Sequence, residues 1–211
     1  MSATLACEVT TPHKVWEETD HYRFFAHVLA TPTHDRYTLL HSAEFSESLR
    51  QLWRELACEG EFPELGRFRN FAAYESAYIA LFDVGVPEPP VPLAESGHYK
   101  AVPAQQTAFE NVLFYEVLGL RMNPGRSFAD HLQTQLEFLA AARYVGDHSR
   151  DIEDCANAQR LERDFLQRHL LNWLPLAEKK LRRLDPPVFV ALFCLLLAFL
   201  RNRLQALSCC A

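Results

Sequence analysis

Apolar residues recur three and four positions apart along most of the chain, which is the period of an α-helix and not the alternation of a strand. This spacing predicts a first helix over residues 14–30, which Pro32 ends, and a helical region over 36–59 that Ser42 or Ser46 divides. Further helices are predicted over about 65–83, 105–118, 127–146, 156–184 and 188–200.

The last of these helices, residues 188–200, is apolar on every side. A helix without a polar face belongs in the middle of a bundle. Its 13 residues are fewer than the roughly 20 that cross a bilayer, so no stable membrane insertion is expected. With only 7 glycines in 211 residues, the chain 1–211 is predicted to be one all-α domain, a helical bundle around this apolar central helix.

The stretch 74–99 changes character halfway along its length. Tyr78, Leu81 and Phe82 share one face of its helical half, and a proline-rich loop at about 85–104 follows. Proline-rich segments favour an extended polyproline II conformation. An aromatic helix end beside a stiff loop suits a peptide-binding surface, although an ordinary helix followed by a connector gives the same pattern.

Two helix starts are predicted from capping residues. The helix over 127–146 begins Ser-Phe-Ala-Asp, so Ser127 is predicted to be its N-cap and Asp130 the acid of a capping box. His131 is then expected to be partly buried and hydrogen-bonded. Asp185 is predicted to cap the last helix.

Two other helices have predicted core faces. In the helix over 156–184, His169 and Trp173 are predicted to lie in the core, and Pro175 is predicted to kink the helix. In the helix over 105–118, the buried side is predicted to consist of Phe109, Val112, Leu113, Tyr115 and Val117.

Charge and cysteine content narrow the class of protein. The net charge of −6 disfavours a general nucleic-acid binder, which needs clustered Lys and Arg, but suits a basic peptide partner. The six cysteines include no CxxC pair and are too dispersed for a disulfide scaffold, which indicates a reducing compartment. The first 13 residues lack the basic and apolar regions of a signal peptide, so a cytoplasmic location is expected.

No motif in the chain demands catalysis. HExxH, GxGxxG, a P-loop and GxSxG are all absent from the sequence. Two ExxH patterns occur, Glu18–His21 and Glu95–His98, but the second lies in a loop and does not present two ligands from one helical face. No metal, cofactor or catalytic residue is therefore predicted. A helical metal-dependent enzyme that uses some of the nine histidines is the alternative.

Four segments carry a family resemblance. They are YIALF with the downstream loop PPVPLAESGHY (78–99), ENVLFYEVLGL (110–120), DHLQTQLEFLA (130–140) and FLQRHLLNWLP (165–175). In this order they resemble the motifs of TorD/DmsD/NarJ-type chaperones, which are cytoplasmic maturation factors for molybdenum enzymes of the dimethyl sulfoxide reductase family. The loop most resembles members that serve the type II branch of those enzymes.

The resemblance implies a binding protein without catalysis. Such a chaperone binds the twin-arginine signal peptide or the apo form of a molybdoenzyme catalytic subunit until its cofactor is inserted, and acts as a monomer or homodimer. Gln135 stands where the family usually has Glu, so it is expected to act as a neutral hydrogen-bonding group. The implied binding face consists of Tyr78, Leu81, Phe82, Pro92, Ser96, Tyr99, Asp130 and His131.

Overall fold

Helices account for nearly all the regular structure in residues 21–122 and 128–209, the ranges that the computed structural model describes. Within these ranges there is no strand, only one isolated antiparallel bridge between Ala94 and His131. The prediction of an all-α single-domain bundle is confirmed. The helices are α1 His21–Val28, α2 His34–Leu40, α3 Ala43–Glu55, α4 Phe71–Tyr78, α5 Ala104–Val117, α6 Leu132–His148, α7 Ile152–Phe165, α8 Leu171–Leu184 and α9 Pro187–Cys209.

The central helix is α9, as predicted, although it continues well beyond residue 200. Residues Pro187–Ser208 are long and apolar enough to cross a membrane, with a mean hydropathy of 1.8. However, Phe189, Phe193 and Leu196 are fully buried, and α7 and α8 pack against the helix. Its apolar surface is therefore covered by the bundle, which is the position predicted for it.

Capping explains where several helices begin. The Ser42 hydroxyl accepts a hydrogen bond from Phe45 N at 3.1 Å, so Ser42 divides α2 from α3, one of the two predicted positions. Asn70 caps α4 through its bond from Ala73 N at 2.9 Å, which starts that helix later than the predicted residue 65. Each side chain satisfies a backbone N–H that has no partner within the helix.

One π-helical turn directly follows α4, and another lies within the predicted helix over 156–184. The first turn, Ile79–Asp83, ends α4, and the second, Leu166–Leu170, joins α7 to α8. The departure from α-helical geometry over 156–184 thus lies before Pro175, which is inside α8. His169 and Trp173 are buried, as predicted.

Two capping predictions were wrong. Helix α6 begins at Leu132, and its N-cap is His131, whose Nδ1 accepts a hydrogen bond from Gln133 N at 3.3 Å. Asp130 therefore precedes the helix and is not a capping-box acid, while Ser127 lies outside the described residues. Asp185 ends α8 in the left-handed conformation, at φ 52° and ψ 47°, and does not begin α9.

The predicted buried face of α5 was wrong for three of its five residues, whereas Tyr115 is buried as predicted and Val112 packs partly buried on the core. Phe109, Leu113 and Val117 are exposed, to 61%, 46% and 70%. The buried face carries Thr107, Asn111 and Tyr115, spaced by four residues. Asn111 donates to the Glu95 carboxylate at 3.1 Å, so polar bonding in the core, and not apolar burial, orients this helix.

The orientation of α5 predicts that two alanine substitutions differ in their effect on stability: the buried Asn111 should matter and the exposed Phe109 should not. Asn111→Ala removes donors from a fully buried carboxylate, so we expect it to lower the free energy of unfolding by about 2 kcal/mol or more. Phe109→Ala removes a larger but exposed side chain, and we expect a change within about 0.5 kcal/mol. Denaturant unfolding of both variants measures this, and a larger loss for Phe109→Ala would contradict the orientation.

Candidate functional site

The proline-rich loop is fixed to the helices at its first half. Val91 N donates to Leu81 O at 2.9 Å, and Val91 is fully buried. His98 bonds through Nε2 to Pro92 O at 2.9 Å. A Cβ at Gly97 would lie 2.6 Å from the Pro92 side chain, so the close approach requires glycine there. The loop is a packed part of the fold and not a loose connector.

Asp130 holds the second half of the loop. Its backbone oxygen accepts from Glu95 N at 2.9 Å, and its Oδ2 accepts from Ser96 N at 3.0 Å. The adjacent Leu132 N donates to Leu93 O at 2.8 Å. Because Asp130 is 4% exposed and bonded in this way, its role in the structure is to join the loop to the start of α6.

A groove of about 690 Å³ opens between this loop, the end of the first π-helical turn and the start of α6. Its wall is mixed, with six of the ten lining residues apolar and four polar, and Phe128 is 76% exposed at its edge. The structure thus brings Phe82, Pro92 and His131, three residues of the predicted binding face, to one cavity. The lining residues are Thr31, Phe82, Asp83, Pro89, Pro92, Leu93, Ala94, Phe128, His131 and Gln133.

The other five predicted residues lie behind or beside the groove. Tyr78 is buried and donates to Leu29 O at 3.1 Å, and burial raises its pKa. Leu81 is half-buried against the core, and Ser96 and Asp130 bond to each other, as described above. Tyr99 is also half-buried against the core, and this burial raises its pKa to about 12. These side chains support the cavity wall.

Seven of the ten lining residues are absent from the predicted binding face, and Asp83 and Phe128 are two exposed ones among them. Asp83 directly follows Phe82 at the end of the π-helical turn, and Phe128 lies two residues before Asp130. An aspartate after a helix is ordinarily a solvated residue, so its residue type alone does not indicate a binding site. The only available signal was the adjacency of each residue to a position that the family resemblance named.

Two titratable side chains, Asp83 and His131, line the groove. Burial lowers the pKa of His131, against the opposing effects of Asp130 and Asp83, so the imidazole is neutral at neutral pH. Burial raises the pKa of Asp83, and His131 offsets part of the rise. No Lys or Arg lies among the described lining residues, so Asp83 supplies the groove's charge.

A buried polar network lies beneath the loop, and Glu95 is its centre. The Glu95 carboxylate, which is 2% exposed, accepts from Asn111 Nδ2 at 3.1 Å and from Gln135 Nε2 at 2.7 Å. His169 Nδ1 lies 3.0 Å from the same oxygen. Trp173 Nε1 donates to Gln135 Oε1 at 3.1 Å. The predicted role of Gln135 as a neutral hydrogen-bonding group is confirmed.

This network does not form a metal centre in the described residues. No group of three or more His, Cys, Asp or Glu side chains there is arranged to hold an ion. The acid and the imidazole of Glu95 and His169 bond to each other and to amides, which leaves a closed structural cluster. Apart from this network, the groove presents apolar side chains and one carboxylate, that of Asp83.

Comparison with known proteins gives consistent matches across this region. The model of a family described as the nitrate reductase delta subunit matches residues 42–178, which include the proline-rich loop, Asp130 and the polar network. The chlorate reductase assembly chaperone protein of Ideonella dechloratans is 35% identical over 135 residues, covering 62% of this chain and 67% of that protein.

Two further relatives match over similar lengths. The selenate reductase assembly chaperone protein of Thauera selenatis is 34% identical over 114 residues, covering 53% of this chain and 58% of that protein. The perchlorate reductase assembly chaperone protein of Dechloromonas aromatica (strain RCB) is 30% identical over 147 residues, covering 68% of this chain and 65% of that protein.

The network predicts that Gln135→Glu is destabilising although it nearly preserves shape. The substitution replaces a donor 2.7 Å from Glu95 with a second carboxylate, so we expect a loss of about 3 kcal/mol at pH 7. Like-charge repulsion raises a carboxyl pKa in the folded variant, so the deficit should shrink as the pH is lowered towards 5.

Gln133→Glu is the matched control, because Gln133 is on the same helix and bonds to Glu137 at the surface. We expect it to cost no more than about 0.5 kcal/mol. Equal losses for the two variants in denaturant unfolding would contradict the buried-network interpretation.

Because the imidazole of His98 is largely buried, we expect the protein to lose stability in mild acid. Burial lowers its pKa, although the bond to Pro92 O partly opposes this, and its Nδ1 is buried without a partner. Below the unfolded pKa of about 6.5 the unfolded chain binds more protons, so the free energy of unfolding should fall as the pH drops from about 7 to 5.5.

The variant His98→Gln keeps a donor for Pro92 O but does not titrate. We expect a shallower decline across that pH range, measured by denaturant unfolding at each pH. His148→Gln changes an exposed histidine and serves as the control. If His98→Gln declines as steeply as the wild type, His98 is not a source of the pH dependence.

Proposed function

Because the chain belongs to the nitrate reductase delta subunit family, we propose that it is an assembly chaperone for a molybdenum-containing oxidoreductase subunit. It binds the twin-arginine signal peptide, or the apo form, of that subunit and assists cofactor insertion before export. The relatives are named as assembly chaperones of reductases, which supports the class of function and a reductase subunit as partner.

One observation carries the peptide-binding part of this proposal, the apolar groove beside the fixed loop. Its volume of about 690 Å³ is in the range of small-ligand pockets and suits a few side chains of an extended or helical peptide. Export leaders combine a basic start with an apolar run. The apolar wall would bury the run, which supplies affinity, and the acidic group would meet the basic start.

Rigidity of the groove supports the same function. The backbone bonds at Leu81, Leu93 and Asp130 hold the loop before any peptide arrives. A preformed wall loses little conformational entropy on binding, so more of the contact energy appears as affinity.

Catalysis is not part of the proposal. The relatives carry names of assembly chaperones and not of catalysts, so the chain is not an enzyme, and the metal-dependent enzyme is not favoured. A cytoplasmic location follows from the proposed action before export, and the binding form is a monomer or a homodimer.

A leader-peptide titration tests the proposal with two exposed phenylalanines. Phe128→Ala removes a groove-edge ring, and burying such a ring contributes about 1.5–3 kcal/mol, so we expect affinity to fall about tenfold or more. Phe109→Ala removes a comparably exposed ring from α5, outside the groove, and should leave affinity unchanged. Calorimetric or anisotropy titration of a peptide with two arginines and an apolar run measures both.

These positions are preferable to the buried members of the predicted face. The ring centroids of Phe82 and Phe189 are 5.1 Å apart, and Asp130 fixes the loop. Substitution of Phe82 or Asp130 would therefore alter the fold as well as binding. If Phe109→Ala weakens binding and Phe128→Ala does not, the peptide site lies elsewhere. If no leader peptide binds the wild-type protein, the peptide-binding proposal is wrong.

A further inference from the structure

The basic start of a bound leader needs an acidic group that can reach it. Asp130 was the candidate from the sequence, but its carboxylate is 4% exposed and accepts the Ser96 N–H at 3.0 Å. Drawing the Asp130 carboxylate to a ligand would break its hydrogen bond to Ser96 N. The acid that meets the ligand must therefore be another residue.

Asp83 has the required placement. It lines the groove beside Phe82 and is exposed, and no described residue forms a hydrogen bond or ion pair with its carboxylate. Its side chain is therefore available to a ligand without the loss of a hydrogen bond or ion pair to a described residue. On an exposed residue the carboxyl remains ionised at neutral pH.

The surroundings of Asp83 favour one sign of ligand charge. His131 is the neighbouring titratable group in the groove, and it is neutral at neutral pH. The remaining described lining residues are uncharged. A cationic side chain that enters the groove thus meets one negative charge and no opposing positive charge among the described lining residues.

We propose that Asp83 is the specificity-determining residue of the groove and accepts the guanidinium of an arginine in the bound peptide. Guanidinium is the favoured partner because it can donate two parallel hydrogen bonds to one carboxylate. In this arrangement the side chain of Phe82 packs into the core, and the next side chain, that of Asp83, faces the ligand. This inference rests on the proposed peptide-binding function.

Two peptides and three forms of the protein test it. One peptide is a leader with its arginine pair, and the other has both arginines replaced by glutamine, which keeps length and hydrogen bonding but removes charge. In the wild type we expect the arginine peptide to bind about tenfold tighter, the value of one charge-assisted hydrogen bond. In Asp83→Asn the two affinities should become nearly equal, through a loss for the arginine peptide alone.

Glu88→Gln is the matched control. Glu88 is an exposed residue of the proline-rich loop that follows Asp83, and it does not line the groove. Its replacement by Gln changes the net charge by the same amount as Asp83→Asn. The variant should keep the wild-type preference for arginine at physiological salt, because the Glu88 carboxylate is exposed to solvent outside the groove lining, where salt screens it. Circular dichroism and thermal unfolding of Asp83→Asn should match the wild type, because the exposed side chain makes no contact that the fold requires.

The outcomes separate this inference from the function on which it rests. If Asp83→Asn retains the preference for arginine, or if Glu88→Gln loses it equally, the role of Asp83 is overturned while peptide binding stands. If the wild type binds both peptides equally, the role of Asp83 is again overturned. If it binds neither peptide, the proposed function fails first.

Discussion

The fold depends on keeping one carboxylate, Glu95, inside a helical bundle. An ionised or proton-sharing carboxyl in a core is costly unless donors surround it. Here the donors come from three different helical elements, through Asn111, Gln135 and His169. Each element must therefore present a polar residue inward at a matching height, and this requirement fixes the relative register of α5, α6 and the π-helical turn before α8.

The same constraint explains the unusual surface of α5. Since Thr107, Asn111 and Tyr115 face the core, the apolar residues spaced by four on the opposite side are turned to solvent. Tyr115 strengthens this orientation by donating to Ala129 O at 2.5 Å, which ties α5 to the segment before α6. Hydrogen bonding thus helps to fix the orientation of a helix whose apolar residues are spread around its circumference.

Much of the fold could be predicted because apolar periodicity reports helices directly. The central helix α9, the division at Ser42 and the core positions of His169 and Trp173 all followed from spacing. The buried face of α5 could not be predicted in this way. A helical wheel assigns the core to the most apolar side and takes no account of a carboxylate that a loop distant in sequence supplies. Asp130 failed for a related reason, since a capping-box pattern does not reveal a loop that competes for the same side chain.

The candidate site shows how neighbouring residues acquire opposite roles. Asp130 bonds to the loop while His131 faces the groove, and Phe82 packs on Phe189 while Asp83 faces the groove. Phe82, Asp130 and His131 belong to the segments that carry the family resemblance, and Asp83 directly follows one of them. The outward residue of each pair is the one that the proposed function places against the ligand. A family motif can thus point to a surface while several of its own residues lie directly behind that surface.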